Sequence, residues 1–573
     1  MWYGLWFHLV AVTILLFAVH WPTLQLGRLR DDIYILQKCE TYTWDRLLLQ
    51  GFRFPRTDFG NPWWVTKDDI AHFFRPLVLT SFKMPIEFFG TCDTLHRVSN
   101  VLFHLTTSFL LILVGRRLFK SRVAAMVPAF YFAFSLHNQW TVMWLVARKE
   151  LLVGLFLLTA FFFHLKKKLI PSLVALLLAM TAGEHAVAFP FIVVLWDLFN
   201  PLSKETVPLK EICQQKWQRW LSYAGLLFTY IVARHILLGG LPLPPAPYFT
   251  HPLKPGAFAF YLLKKIQFAA ALVIQVLFID RPVMTLWLNH LWTLLLSIFL
   301  TISILIWGHY VARVKRLFLA LLAITVMAFM PFTPMVAMPI YLYSPMMFFS
   351  LAVGAALDGV LVHRPKARTQ AQRGFLFAVM AVITVHFIGS FVWTWGRFNK
   401  KFNYPFEVLP QITQFAKEAP AGSPILLVDV PPHAIALPHL LQETTGRKGK
   451  DIVILSMLID KTGRQYGELK NIDERTIALK AKDPYFGTPT SRALAFVPEG
   501  VIKEGAVIDR QWMTVKLAEL GPPPPPNARG HRFFTKEPGV KTLIVTLKEK
   551  EPKPLVISFR QLKPHVVTGL FVH

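Results

Sequence analysis

Two adjacent carboxylates, Asp31 and Asp32, are the most informative polar residues of the sequence. They lie in residues 28–34 (RLRDDIY), a few positions beyond a long apolar run. In a solvated loop such a pair carries no chemistry. At the rim of a buried cavity, burial raises the pKa of one carboxyl group and suits it to general-base work, while its neighbour orients a partner or binds a cation. Position alone leaves both interpretations open.

Further ionisable residues recur along the first half of the chain. Arg75, in residues 74–77 (FRPL), could bind a phosphate through two parallel hydrogen bonds or keep its charge in water at a membrane interface. Each of the others, taken alone, is best explained as an ordinary helix-end residue. They are Arg148-Lys149-Glu150 with His137 and Asn138 before it, then Glu184-His185, and Arg234 within an apolar segment, where an unpaired cation is costly.

The elements that must position these residues are long apolar runs. The chain has 573 residues, of which 54% are hydrophobic and 16% charged, and its mean hydropathy is +0.44. This composition excludes an ordinary soluble enzyme. Runs such as 5–23 and 286–307 are long enough to cross a bilayer core of roughly 30 Å. The sequence therefore predicts a polytopic α-helical membrane protein.

About eleven transmembrane helices are predicted from the apolar runs. Two points stay open: Gly183 to His185 could be a hairpin tip or the break in one interrupted helix, and 259–279 could be a full span or a re-entrant or surface helix. The predicted spans lie near 4–24, 96–115, 122–144, 150–165, 170–182, 186–199, 220–238, 286–308, 317–331, 340–361 and 374–395.

Basic residues give the orientation of these spans. Lys and Arg outnumber Asp and Glu by 61 to 33, and short cytoplasmic loops are enriched in them. The basic loops can all be cytoplasmic only if residues 259–279 do not make a simple crossing of the membrane. The N-terminus is then inside and the C-terminus outside. All the ionisable clusters then share the outer face, which favours a polar cavity there. The outer segments are the first loop 25–95, the loop 239–285, the turn 331–339 and everything after 396.

The composition changes at residue 396. The chain is predicted to divide into a transmembrane domain, 1–395, and a soluble α/β or α+β domain, 396–573, with 26 Lys and Arg against 17 Asp and Glu. Strand-like runs lie at Ile425–Val430, Ile452–Leu455 and Thr542–Leu547, and 431–442 is typical of a turn and helix. A stiff polyproline linker is predicted at 522–526.

The cysteines and histidines match no known framework. The three cysteines fit neither a disulfide scaffold nor a zinc motif, although Cys39 and Cys92 share the first outer loop and could form one bridge in an oxidising compartment. Asp429, His433 and His439 lack a metal-site spacing. No known nucleic-acid-binding module is recognised, so we expect no nucleic-acid partner.

Four motifs recur in a distinctive order, namely Asp31-Asp32, residues 74–82 (FRPLVLTSF), residues 148–152 (RKELL) and residues 183–186 (GEHA). In this order they resemble the C-type (GT-C) membrane glycosyltransferase superfamily, and within it the O-mannosyltransferase-like proteins with tetratricopeptide tails. The resemblance covers roughly residues 1–400. Further matches are 197–199 (DLF), Arg234 with Gly239, 330–334 (MPFTP) and 341–345 (YLYSP).

The resemblance implies a GT-C-like helical arrangement that transfers a sugar from a polyprenyl-phosphate donor lipid to a hydroxyl of a protein or glycan at the outer face. It implies that Asp31 deprotonates the acceptor and that Asp32 assists, with inversion at the anomeric carbon. A divalent cation, Mg or Mn, could bridge Asp31 or Asp32 to the phosphate, although general-base chemistry does not require one. The residues implied for the donor phosphate and its cavity are Arg75, Arg148, Glu150, Glu184, His185, Arg234, Tyr341 and Tyr343.

Two departures from that family matter. The tetratricopeptide tail is replaced by 396–573, so the acceptor cannot be carried over. Gly183 stands where those proteins have a lysine before the glutamate, which removes one cation from the donor side. The chain also has no Asn-x-Ser/Thr sequon, which is compatible with a bacterial inner membrane and a periplasmic C-terminal domain.

Two other classes of protein are alternatives to the enzyme. A transporter or flippase of lipid-linked glycan would place its ionisable residues near the midplane and show two similar halves. The sequence has no such internal similarity, and its clusters lie at one face. A non-catalytic scaffold of the same fold stays open because of Gly183 and the unfamiliar tail.

Overall fold

The computed structural model is mainly helical up to residue 418 and mainly β-strand from residue 425 onward. Three predicted segments lie outside the described residues, namely the loop 239–285, the segment 259–279 within it and the polyproline linker 522–526. The described residues are 3–28, 31–55, 70–203, 207–238, 291–332, 339–362, 368–420, 422–430, 437–448, 451–456, 468–485, 503–509, 512–520, 540–548, 553–560, 563–567 and 570.

Seventeen α-helices are present in the described residues. Short 3-10 segments at Leu145–Ala147, Glu184–Ala188, Met330–Phe332 and Pro339–Leu342 join some of them, and a π-helical segment, Trp393–Phe398, follows the fifteenth. The helices are α1 Tyr3–Leu24, α2 Asp31–Thr41, α3 Trp44–Gln50, α4 Pro76–Phe89, α5 Asp93–Leu118, α6 Arg122–Ala133, α7 Leu136–Met143, α8 Arg148–Leu165, α9 Leu169–Ala182, α10 Phe189–Phe199, α11 Leu209–Leu238, α12 Leu291–Val311, α13 Lys315–Phe329, α14 Tyr343–Leu361, α15 Gln370–Val392, α16 Asn399–Glu418 and α17 Leu437–Thr445.

Among the described residues, five helical segments are long and apolar enough to cross a membrane, namely 93–118, 209–238, 315–332, 340–361 and 370–396. Shorter apolar helices lie at 9–24, 122–133, 169–182 and 301–311. The chain is therefore an integral membrane protein. Its total of about eleven spans and its orientation stay predictions.

The predicted span 122–144 is wrong as one continuous helix, because the structure divides it into α6 and α7. The amide of Asn138 donates to the carbonyl of Phe132 at 2.7 Å, and the amide of Gln139 donates to the carbonyl of Ala133 at 3.3 Å. These side chains replace the main-chain hydrogen bonds that a continuing helix would supply. The break places a polar stretch inside the protein.

Helix α8 lies at the centre of the membrane part and packs against α5, α9 and α14. Gly154 on α8 lets α14 approach closely, since a Cβ there would lie 2.5 Å from Cε1 of Tyr343. After Glu184–Ala188 the chain changes neighbours: α9 packs on α8, whereas α10 packs on α11 and α13. Because α9 follows α8 closely in the chain and packs on it, the start of α8 and the end of α9 lie at the same end of the helix bundle.

The described residues of the first predicted outer loop, 25–28, 31–55 and 70–95, pack on this end of the bundle. They contain α2, α3, α4 and an antiparallel pair formed by β1 (Arg53–Pro55) and β2 (Ile70–His72). Helix α2 packs against α4 and against the 3-10 segment Leu145–Ala147. The pair of aspartates is thereby brought next to the start of α8.

The described strands after residue 418 form two sheets. One has the order β11-β10-β3-β4, with β3 parallel to both β10 and β4, and the other is antiparallel with the order β5-β6-β9-β8-β7. The predicted strands at 425, 452 and 542 are present, as is the helix that follows the first. The strands are β3 Ile425–Val428, β4 Ile452–Ile454, β5 Glu468–Asp473, β6 Thr476–Tyr485, β7 Val507–Asp509, β8 Met513–Leu520, β9 Val540–Leu547, β10 Leu555–Arg560 and β11 Lys563–Val566.

These two sheets share a hydrophobic core that runs from Val408 to Phe559 and is separate from the core of the membrane helices. A small apolar contact between described residues connects the two parts, where Ile33 of α2 packs with Leu440 of α17 and with Leu409. The division at residue 396 stays a prediction.

Candidate functional site

Glu184 is the centre of a cluster of ionisable side chains at one end of the helix bundle. Its Oε2 accepts hydrogen bonds from Nη2 and Nε of Arg75 at 3.0 and 3.2 Å. Its Oε1 lies 3.6 Å from Nη2 of Arg234. All three side chains are largely buried, with 17–24% of each exposed. Glu184 thus holds together two arginines that are far apart in sequence.

Local structure explains how the three side chains meet. Arg75 is the residue before α4, where Pro76 at the first helical position ends the preceding extended segment. The guanidinium of Arg75 also stacks over the ring of Phe73, with its Cζ 4.3 Å from the ring centroid. Arg234 lies in the last turns of α11, and Glu184 begins the 3-10 segment after α9.

A second group of charges adjoins this cluster at the start of α8. Glu150, which is fully buried, lies between Nζ of Lys149 at 3.2 Å and Nε2 of His185 at 3.0 Å. Lys149 also lies over the ring of Tyr341, with Nζ 5.5 Å from its centroid. Phe332, which sequence analysis did not select, stacks on Tyr341 at 4.8 Å and lies against His185.

The charges around Glu184 act on its ionisation. Burial alone would raise the pKa of this carboxyl group, but the positive charges of Arg75, Arg234 and Lys149 outweigh burial and hold the pKa below its ordinary value. Glu184 is therefore an anion at neutral pH. Lys149 supplies a third positive charge that acts on Glu184.

Gly183 is explained by a close approach. A Cβ at this position would lie 2.9 Å from Cγ2 of Val153 and 3.1 Å from Cε1 of His185. A side chain of any kind would push His185 away from Glu150 or α9 away from α8. The absence of a lysine at position 183 is thus compatible with the packing of this particular site.

The cluster has an excess of positive charge. Arg75, Lys149 and Arg234 face two carboxylates, Glu150 and Glu184, so one positive charge is left over when His185 is neutral. Among the described residues, Nε of Arg234 has no hydrogen-bond partner, and the same holds for the hydroxyl of Tyr230 on the preceding turn of α11. A buried excess cation with free donors is suited to an anionic ligand.

The two aspartates begin α2, which packs against the 3-10 segment that leads into α8. Asp31 is the first residue of α2, and its side chain lies outside the described residues. Asp32 is fully buried, and its Oδ1 accepts a hydrogen bond from the main-chain N–H of Val146 at 3.0 Å. Val146 precedes Glu150 by four residues, so about one turn of chain separates the aspartates from the charged cluster.

Arg97 is a residue of this region that sequence analysis missed. It lies near the start of α5, is 1% exposed, and places Nη2 3.9 Å from Oδ2 of Asp32. Its guanidinium donates to the carbonyls of Leu26 at 3.0 Å, Met143 at 2.6 Å and Gly27. The signal that could have found it is a charged residue within a predicted span.

Arg148 lies apart from the cluster, although it neighbours Lys149 in sequence. Its five N–H groups are directed at acceptors on α4 and α5, and its guanidinium lies over the ring of Phe82 at 3.8 Å. A phosphate-binding role for Arg148 stays a prediction. The acceptors are Asn100 Oδ1 at 2.7 Å, the carbonyl and hydroxyl of Ser81 at 2.8 and 3.4 Å, the carbonyl of His96 at 2.7 Å and the hydroxyl of Ser99 at 2.6 Å.

Other residues singled out from the sequence also lie outside the cluster. Tyr343 is buried at the start of α14, where its hydroxyl lies 2.9 Å from Nδ1 of His104. His137 and Asn138 are buried in α7. The structure therefore brings together Arg75, Glu150, Glu184, His185, Arg234 and Tyr341, with Lys149, but not Arg148 or Tyr343.

The alternative of a bridge between Cys39 and Cys92 is wrong, because both thiols are free. Cys39 is buried against the carbonyl of Leu79, whereas Cys92 is exposed before α5. No group of three or more His, Cys, Asp or Glu side chains lies together as metal ligands would within the described ranges. His433 and the side chain of His439 fall outside those ranges.

Comparisons with known proteins add a likeness in overall shape. No protein-family model matches the chain, and no curated protein matches it. A solved structure that matches is the crystal structure of ArnT from Cupriavidus metallidurans bound to undecaprenyl phosphate. The two chains are 12% identical, with 95% of this chain and 98% of that chain covered and a TM-score of 0.41. At this level of similarity, the chemistry rests on the residues of this chain.

Proposed function

We propose that this protein is a membrane glycosyltransferase of the C type, which moves a sugar from a polyprenyl-phosphate donor to an acceptor hydroxyl at the outer face of the membrane. The observation that carries the proposal is the buried cluster of Arg75, Lys149 and Arg234 around Glu184, one turn of chain from the residue that binds Asp32. The motif order of the sequence supports the same conclusion.

The proposed reaction uses the two sides of the α8 start for different tasks. Asp31 takes the proton of the acceptor hydroxyl, and the oxygen attacks the anomeric carbon of the donor sugar. The bond between that carbon and the phosphate oxygen breaks, and the electron pair leaves with the phosphate. Arg75, Arg234 and Lys149 stabilise the negative charge that develops there. One displacement gives inversion at the anomeric carbon.

An apolar groove supports a donor carried by a lipid. It lies between α10 and α11, has a volume of about 620 Å³, and is lined by apolar side chains from Pro190 to Val194 and from Trp217 to Ile231. Ile231 lies one turn before Arg234 on α11. A prenyl chain in this groove would place its phosphate at the cationic end.

The cluster also imposes a condition on donor binding. In this structure Glu184 occupies both arginines, so a donor phosphate has to share them with this carboxylate or displace it. The same self-pairing is what a non-catalytic scaffold of this fold would show. The scaffold is therefore the second candidate, and a test has to separate binding from transfer.

The decisive experiment is sugar transfer by the purified protein in lipid nanodiscs, with a panel of polyprenyl-phosphate sugars and release of polyprenyl phosphate as the readout. We expect transfer by the wild type, its loss in Asp31→Asn, and weaker donor binding in Arg75→Gln. Asp45→Asn is the matched control, because Asp45 is an exposed carboxylate of the same outer region. Donor binding without any transfer would favour the scaffold, and transfer that survives Asp31→Asn would remove the assigned base.

A further inference from the structure

We propose that Arg97 is a positioning residue that holds the segment carrying Asp31 against the start of α8. The inference rests on the proposed function, since it assigns Arg97 a task in the reaction for which Asp31 is the base. Within the described residues, the hydrogen bonds and the ion pair of Arg97 go to Leu26, Gly27, Met143 and Asp32, and none of these belongs to the cationic cluster or to the residues assigned to the donor. It acts through main-chain carbonyls and through Asp32.

The contacts of Arg97 bracket the candidate base on both sides. Its guanidinium donates to the carbonyls of Leu26 and Gly27, which precede the pair of aspartates, and it lies 3.9 Å from Oδ2 of Asp32, which follows Asp31 directly. Its third carbonyl partner is Met143, the last residue of α7. One side chain thus joins the α1–α2 connection, α2 and the end of α7.

Asp32 holds α2 in place through both oxygens of its carboxylate. Its Oδ1 binds the main-chain N–H of Val146, while its Oδ2 faces Arg97. The two oxygens of one buried carboxylate are therefore directed at α5 and at the segment before α8. A shift of α2 away from the start of α8 would break the hydrogen bond with Val146, and a shift away from α5 would separate Asp32 from Arg97.

A second arginine fixes the far end of the same helix. Arg28 pairs with Glu40 near the end of α2 at 2.5 Å and with Asp93 at the start of α5 at 3.0 Å. Asp93 and Arg97 are one turn apart on α5. Both ends of α2 are consequently tied to the first turns of one long helix.

The chemistry explains why arginine is needed at position 97. Its acceptors lie in several directions, and a planar guanidinium offers five N–H groups in a rigid fork, whereas a lysine offers one compact ammonium group. Lysine would keep the charge near Asp32 but leave buried carbonyls without a donor. General-base catalysis requires the base within hydrogen-bond reach of the acceptor hydroxyl, so a small displacement of α2 is enough to slow the reaction.

The test compares Arg97→Lys with the wild type in three measurements on the full chain in nanodiscs. We expect kcat for sugar transfer to fall on the order of 100-fold, as for a misplaced catalytic group. The affinity for polyprenyl phosphate should stay within about threefold, because no phosphate-side contact changes. Hydrogen exchange should accelerate in residues 31–41 and remain unchanged in 150–165.

Two further variants keep the test decisive. Arg28→Gln changes a partly exposed side chain and should lower kcat and accelerate exchange in residues 31–41 by smaller amounts, with the affinity unchanged. This variant replaces Arg97→Lys in the test if Arg97→Lys does not fold. Arg46→Lys, at an exposed arginine of the same outer region, is the control for a general effect of the substitution. An unchanged kcat, or faster exchange throughout the chain, would overturn the positioning role.

The two proposals fail in distinguishable ways. If the wild type binds a donor but transfers no sugar, the proposed function fails, while the exchange measurement still decides whether Arg97 holds α2. If the wild type transfers sugar and Arg97→Lys changes kcat without a local change in exchange at 31–41, only the inference about Arg97 fails.

Discussion

The main-chain N–H of Val146 donates a hydrogen bond to Asp32 at 3.0 Å, and Glu150, four residues later, lies 3.0 Å from His185. This short stretch of chain therefore contacts both the acidic segment and the cationic cluster. A base and a phosphate-stabilising group have to lie on opposite sides of an anomeric carbon in a single displacement.

Removal of the Glu184 charge should strengthen anion binding. In Glu184→Gln, Arg75 and Arg234 lose the carboxylate that pairs with them, so a phosphate no longer has to compete for the two guanidinium groups. We expect polyprenyl phosphate to bind about tenfold more tightly, which corresponds to roughly 1.4 kcal/mol. Titration of the detergent-purified protein with polyprenyl phosphate measures this affinity. Weaker binding would mean that Glu184 itself positions the ligand.

The stability of the folded protein should fall at acid pH, in part because Glu184 becomes protonated. The pKa of this carboxyl group is held below its ordinary value in the folded protein. It therefore contributes stability above its unfolded pKa of about 4.3, and this contribution is lost as the pH falls through the folded value. Melting temperatures of the wild type should fall more steeply below about pH 4.3 than those of Glu184→Gln. Parallel curves for the two proteins would contradict this.

The packing around Gly183 gives a prediction that is independent of charge. In Gly183→Ala the new methyl group meets Val153 at 2.9 Å and His185 at 3.1 Å. Overpacking of this kind costs about 1–3 kcal/mol. Thermal unfolding should show that loss, and the double variant Gly183→Ala with Val153→Ala should recover part of it. A loss unchanged by Val153→Ala would place the strain elsewhere.

Much of the cationic cluster could be predicted from the sequence, because ionisable residues at the ends of apolar runs are costly in the bilayer core and therefore lie at the ends of the helices. Arg75, Glu184 and Arg234 each lie where a helix begins or ends, and the end of a bundle collects such positions. Arg97 could not be predicted in the same way. Its partners are main-chain carbonyls 71, 70 and 46 residues away, and carbonyls leave no signature in a sequence.

The fold shows the same contrast between local and long-range information. Apolar runs predicted most helices, because hydropathy is a property of consecutive residues. The break between α6 and α7 depends instead on the amides of Asn138 and Gln139, which bond to carbonyls of the preceding helix. Strands β3 and β4 were recognisable as apolar runs, but the pairing of β3 with β10 joins residues that are far apart in the chain.

Two arginines of the sequence motifs, Arg148 and Arg75, should respond differently to substitution by lysine. Arg148 has all its N–H groups directed at protein acceptors and is fully buried, so Arg148→Lys leaves several of those acceptors unpaired and should destabilise the protein by about 3 kcal/mol or more. Arg75 is partly exposed and binds chiefly Glu184. Arg75→Lys should therefore change the melting temperature little.

The ligand affinities should show the reverse order for these two variants. A lysine at position 75 loses the two-point contact that a guanidinium makes with an oxyanion, so polyprenyl phosphate should bind at least about tenfold more weakly to Arg75→Lys. Arg148→Lys, measured at a temperature where it remains folded, should bind it as the wild type does. Weaker binding in Arg148→Lys, with no loss of stability, would instead place Arg148 at the donor phosphate, as the motif order of the sequence predicts.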